Sequence, residues 1–170
     1  MRPGEALEHL SREQLLELIT AYSRNWLAMD GVWFQSIERK SGMDEAMYHD
    51  IQAWQRFTVT EARRIKSFDC RPPGLPGLKA ALSLRFMANL CHYEFEEGEH
   101  TLTLRNLDCR VQTARLDKGH APAPLQARGG GGVQRLCPHH RRPHPLPVRQ
   151  LLPDVTDDTC ACAWRFTLEE

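Results

Sequence analysis

"CACAWRFTL", residues 160–168, decides the fold. Cys160, Cys162, Trp164, Phe166 and Leu168 alternate with Ala161, Ala163, Arg165 and Thr167, and a period of two marks a strand with one face turned to a core. Partners for it lie upstream in "CHYEFEEGEHTLTL" (91–104). There Tyr93 and Phe95, then Leu102 and Leu104, alternate with polar residues on either side of Gly98, the pattern of a hairpin. Between hairpin and closing strand, "DCRVQTARLDKG" (108–119) reads as a helix with Asp108 as N-cap and Gly119 beyond its end.

The N-terminal half changes period. Ser11 and Gln14 have capping-box spacing, and Leu15, Leu18, Ile19, Tyr22 and Trp26 recur at helical intervals, which predicts a helix to about Met29. Asp30-Gly31 is expected to break it. Val32, Trp33, Phe34 and Ile37 then suggest a short second helix closed by Gly42. A third runs from near Asp44 through Met47, Ile51, Trp54, Phe57, Ala62 and Ile65 to about Ser67, where "CRPPGLPG" (70–77) stops it. "LKAALSLRFMANL" (78–90) adds helix formers. The expected fold class is α+β, N-terminal helices followed by an antiparallel sheet with an inserted helix, all in a single domain over 1–170.

Composition narrows the function classes. The 22 basic and 22 acidic residues of the 170 balance, so no overall field draws the chain to nucleic acid or to an anionic membrane. No apolar run approaches the roughly 18 residues of a membrane span, and the N-terminus lacks the order of a signal peptide. A cytoplasmic protein is expected, in which six cysteines are thiols, buried small residues or metal ligands rather than disulfides.

One segment departs from this patterning. From Lys118 to Pro153 there are six basic residues and no acidic or aromatic ones, with seven of the eleven prolines and five of the eleven glycines. Over 118–152 an irregular or disordered stretch is expected. So long a structureless insertion just before a core strand is unusual, and Arg, Pro, Gly, Ala and His together are what GC-rich DNA yields out of frame. Read one base on from the Gly119 codon, permitted degenerate bases give a string with V-V-E-Y and with cysteines opposite Leu146, Val148 and Leu151. The expectation is therefore a pair of compensating frameshifts.

"WLAMDGVWFQSIERKSGMDEAMYHDIQAWQRFTVTEARRIK" (26–66) resembles the N-terminal helices of an uncharacterised family of bacterial and archaeal "cytosolic protein" sequences. The step Asp30, Gly31, Trp33, Phe34 is its most specific part. "TLTLRNLDCRVQTAR" (101–115) and "PDVTDDTCACAWRFTL" (153–168) resemble the same family's C-terminal half, so the resemblance covers about 1–117 and 153–170. More remotely, Cys109, a cysteine- and glutamate-bearing middle and then Cys160 or Cys162 before an aromatic strand are similar to two groups. These are the 4-vinyl-reductase-type ligand-binding domains and the L-2-amino-thiazoline-4-carboxylic acid hydrolases. The first resemblance implies a small-molecule pocket and, in intact relatives, a structural zinc on cysteines; the second implies opening of a small cyclic substrate.

The residues themselves offer two candidate sites. A chain turning between two helices exposes side chains at a groove, so Asp30, Trp33 and Glu38 are the candidate ligand-binding residues. Cys109, near a helix start where a thiol pKa is lowered, is a candidate metal ligand, or the nucleophile if the hydrolase resemblance holds. Cys160 and Cys162, two apart on a strand, aim both sulfurs to one side as zinc ligands would; the same alternation equally makes them core residues beside Trp164 and Phe166. Zinc is the one cofactor expected. His139, His140 and His144 with Cys137 have no flanking element to fix a metal geometry, the arginines of 118–152 have no interleaved aromatic for base stacking, and "GGGG" (129–132) lacks the Lys-Ser/Thr of a phosphate loop. The expected partners are a small-molecule ligand and a second copy of the chain, with no nucleic acid and no membrane. The readings of function are a small-molecule-binding domain, a thiazoline-carboxylate-type hydrolase, or a defective chain without activity. Sequencing the gene across codons 110–160 is expected to show two compensating indels; an uninterrupted frame would make the stretch a genuine basic, proline-rich insertion.

Overall fold

After a 3-10 turn over Glu5–His9 comes a capping box: the Ser11 hydroxyl accepts from the Gln14 N–H at 3.2 Å, while the Gln14 side chain accepts from the Ser11 N–H at 2.8 Å. From it runs α1 (Arg12–Ser41), and one residue later α2 (Met43–Ser67). These elements come from a computed structural model, which describes residues 2–68, 73–124, 148–151 and 157–167. Gly42 makes the turn at φ 90, donating its N–H to the Glu38 carbonyl at 2.9 Å, a left-handed φ that favours glycine. α3 (Leu75–Ser83) carries Pro76 in its first turn, where a missing donor costs nothing. A 3-10 turn over Phe86–Asn89 leads into the hairpin β1 (Tyr93–Glu97) and β2 (Thr101–Asn106). Then come α4 (Arg110–Leu116), β3 (Val148–Leu151) and β4 (Cys162–Thr167).

The sheet is antiparallel throughout, in the order β1-β2-β4-β3. Its register puts Tyr93, Asn106 and Cys162 in one row and Phe95, Leu104 and Trp164 in the next. That face carries the main core: Leu102, Leu104 and Phe166 meet Ala62 and Ile65 of α2 and Leu78 and Leu82 of α3, with Trp164, Tyr93 and Phe95 packed at the edge. Burial of such apolar area is the dominant favourable term. A second cluster joins Phe34 of α1 to Ala46 and Met47 of α2 and to Ala123. Between the two clusters, aromatic rings fill the helix–helix space: Trp26 stacks on Phe57 at 5.1 Å and Trp54 on Phe86 at 6.1 Å. No helix among the described residues is long and apolar enough to cross a membrane.

The α+β order stands, and three local readings change. Asp30-Gly31 does not break α1, which runs through it. A mid-helix glycine costs about 1 kcal/mol relative to alanine, and the packing of Leu27, Phe34 and Ile37 on either side outweighs that. The helix expected over 78–90 starts earlier and stops at Ser83, because Arg85 turns inward in an extended conformation to pair with buried Glu61 at 3.0 Å. Asp108 does not cap α4. Cys109 holds that position, while the Asp108 carboxylate accepts from the His92 N–H at 2.8 Å and lies 3.0 Å from the His92 ring.

Two parts of the stretch 118–152 lie among the described residues. At its start the chain docks tightly: Ala123 is 1% exposed, and its N–H and carbonyl are held by the Gln112 amide at 3.0 and 2.7 Å. Near its end, β3 pairs with β4 across a register shift between Val148 and Gln150. The remainder of the stretch expected to be irregular and out of frame, 125–147 and 152, lies outside the described residues.

A methyl group added at Gly31 meets no atom within 4 Å. Gly31→Ala is therefore expected to stabilise the protein by about 0.5–1 kcal/mol in urea denaturation. A neutral or negative change would bring back the helix break.

Candidate functional site

α4 is only seven residues long, yet its side chains fix a cavity against α1. Arg115 reaches across from α4 to α1 and grips Glu38 with both terminal nitrogens, each at 2.8 Å. Its Nε donates to the Ala121 carbonyl at 2.7 Å, and its guanidinium lies 5.6 Å from the centre of the Phe34 ring. Arginine's planar fork suits this two-point grip on a carboxylate. The same contact holds the Glu38 carboxyl below the ordinary carboxylate range, first through the hydrogen bonds from Arg115. Three separate pieces of chain, α1, α4 and the segment at 121–123, are thereby tied together.

What they enclose is a cavity of about 390 Å³. Leu27, Ala28, Phe34, Leu90, Val111 and Ala114 give it an apolar wall, while Arg24, Arg110, Arg115 and Lys118 set basic groups around it, with Asp30 also on the lining. A pocket of that size, mostly apolar with a few polar groups, is the usual form of a small-molecule site.

The three residues expected to share a ligand groove are distributed along a continuous helix. Asp30 lines the cavity. Glu38 forms its strut through Arg115. Trp33 points elsewhere, into a smaller cavity of about 200 Å³ with Trp26, Met29, Asp30, Ala53, Trp54 and Phe57. The expected groove depended on a helix break; with α1 unbroken, Trp33 and Glu38 sit on different faces. Sequence reading missed Arg110, Arg115 and Lys118. Their only signal was three basic residues on one predicted helix, which is equally the pattern of a solvated face.

The cysteines gather at one end of the sheet. Cys91 lies just before β1, Cys109 caps α4 just after β2, and Cys160 and Cys162 lead into β4. Asn106 side-chain hydrogen bonds reach the sulfurs of both Cys91 and Cys162. Burial, together with the neighbouring Cys109 and Cys160 thiols, pushes Cys162 up to about 12, and burial likewise raises Cys91. Cys160 is 3% exposed and takes a hydrogen bond from Arg105. A structural zinc needs a closed tetrahedral set of deprotonated ligands. These residues do not fit it: among the described residues, no group of three or more His, Cys, Asp or Glu side chains is placed to hold a metal ion. Cys70 and Cys137 lie outside the described residues.

Residues 8–168 match the profile of a family of unknown function, DUF6125. No curated protein and no solved structure matches the chain.

Two outcomes follow from this geometry. Replacing Arg115 leaves Glu38 at a half-buried position without its cation, so Arg115→Ala is expected to cost about 3 kcal/mol or more in chemical denaturation, and Arg115→Lys is expected to recover little of it. The thiols set a limit at high pH. A group whose pKa is higher in the folded than in the unfolded chain adds stability that is complete below the unfolded value and is lost as pH rises towards the folded one. Stability is therefore expected to fall from about pH 9, the ordinary thiol value, up to about 12. Cys162→Val should flatten that decline in melting temperature against pH.

Proposed function

As a member of DUF6125, a family whose description names no activity, the chain inherits no reaction, and we propose that it binds a small molecule with an apolar body and an anionic group. The observation that carries this reading is the cavity between α1 and α4, with its wall of Leu27, Phe34, Val111 and Ala114 and the basic groups of Arg24, Arg110 and Lys118 around it. An apolar wall gains from removing hydrocarbon from water, and guanidinium groups favour carboxylate or phosphate through charge-assisted hydrogen bonds. Arg115 acts as the strut that keeps the cavity open, since its fork is already filled by Glu38.

The hydrolase reading has less support. Cys109 caps α4 beside the cavity and is not among its lining residues. It serves the binding site by starting the helix that carries Arg110, Val111 and Ala114.

Titration with 8-anilinonaphthalene-1-sulfonate, an apolar anion, tests the site. The native protein is expected to bind this probe, Ala114→Trp to abolish binding by filling the cavity, and Arg110→Glu to weaken it about tenfold, roughly 1.4 kcal/mol, in a salt-sensitive way. Unchanged probe affinity in Ala114→Trp, with the fold intact by circular dichroism, would remove the cavity from consideration.

A further inference from the structure

Along α1, Ile19, Tyr22, Trp26, Met29 and Trp33 follow one another at intervals of three, four, three and four, with one side of Trp26 stacked on Phe57 of α2. Each is between 44 and 67% exposed. That spacing is the a/d seam of a helix that packs against another helix. The seam is about 21 Å long at 1.5 Å per residue. An apolar patch of this size is often a functional contact surface. Its flanks are nearly free of charge: Leu16, Leu18, Ser23, Asn25, Val32 and Ile37 occupy the positions beside it, with Asp30 the acidic exception. Depletion of charge at the centre is what distinguishes interface cores from ordinary surface.

We infer that α1 is the interface of a homodimer, in which the seams of two copies pack antiparallel about a two-fold axis at Trp26. The seam is self-complementary in this arrangement. A two-fold at Trp26 sets the two Trp26 rings together at the axis, Ile19 against Trp33 and Tyr22 against Met29; a parallel pairing would set Trp33 on Trp33. Beside Met29 and Trp33 lies the cavity of about 200 Å³, a hole for Tyr22 of the partner subunit, in the knob-into-hole manner of paired helices.

The helix ends also match. Arg12, Glu13 and Glu17 leave one end of α1 net acidic, and Glu38, Arg39 and Lys40 leave the other net basic. An antiparallel pair brings unlike ends together and opposes the two helix dipoles. Side chains of this size, about half exposed, offer on the order of 500 Å² per copy. Two copies therefore bury about the 1,000 Å² that a specific interface needs.

Sedimentation velocity on the full chain, from low to high micromolar, tests this. The chain is expected to sediment as a dimer of the 19.5 kDa protomer, dissociating on dilution. Met29→Glu/Trp33→Glu, both at solvent-exposed positions, is expected to weaken association roughly 100-fold while keeping its helical circular dichroism. Glu17→Lys, on the opposite face of α1, is expected to remain dimeric. Tryptophan emission supplies a check that needs no variant: dilution through the dissociation range is expected to shift it to the red as Trp33 meets water. A protomer that sediments at 19.5 kDa at every concentration, or a dimer that persists in Met29→Glu/Trp33→Glu, would overturn the inference. The cavity reading stands or falls separately, on probe binding by Ala114→Trp.

Discussion

Everything about the candidate site depends on one guanidinium. Arg115 spends its terminal nitrogens on Glu38 and its Nε on the Ala121 carbonyl. That single side chain closes a triangle between a long N-terminal helix, a short inserted helix and the segment that leaves it. Without it, α4 has little of its own to hold it: an isolated helix of seven residues is far below the length at which helices are stable in water. Gln112 supplies the second anchor by pairing with both backbone groups of Ala123. The cavity is thus a consequence of polar contacts between elements distant in sequence, lined afterwards by whatever apolar side chains face inward.

The buried pair of Glu61 and Arg85 does a comparable service between α2 and the turn that leads to the sheet. Such pairs contribute little net stability beside a well-packed apolar alternative, but breaking one is costly. Here the pair coincides with the end of α3. The backbone leaves helical geometry at Arg85 so that the side chain can reach Glu61, and this sets where the first strand begins. The row of Tyr93, Asn106 and Cys162 lies close by at the same end of the sheet, where burial holds both the phenol and the thiol in their neutral forms. Sheet end and helix end are thereby joined by polar groups rather than by the apolar packing that fills the middle of the molecule.

A dimer built on α1 would give that helix two jobs on different faces. One face, through Asp30, Phe34 and Glu38, belongs to the cavity and its strut; another, through Tyr22, Met29 and Trp33, belongs to the seam. A helix apolar on more than one face is ordinarily buried or partnered. Ligand and partner would then bias the same element, with the cavity and the second copy reading opposite sides of it.

The sequence by itself determined the elements whose signals are local. Capping at Ser11, the glycine turn at Gly42, the hairpin about Gly98 and the strand over Cys162–Thr167 are each short-range patterns, and each is in place. The α+β order follows from them. Only the tertiary structure decided that Asp30-Gly31 stays helical, that Asp108 turns to His92 while Cys109 holds the N-cap position of α4, that Cys91, Cys109, Cys160 and Cys162 form no closed ligand set among the described residues, and that Trp33 and Glu38 belong to different places. The physical reason is common to all four. Intrinsic propensities differ by about 1 kcal/mol or less per residue, and a packed side chain or a buried charged hydrogen bond outweighs that, but its partner lies tens of residues away, where no local pattern records it.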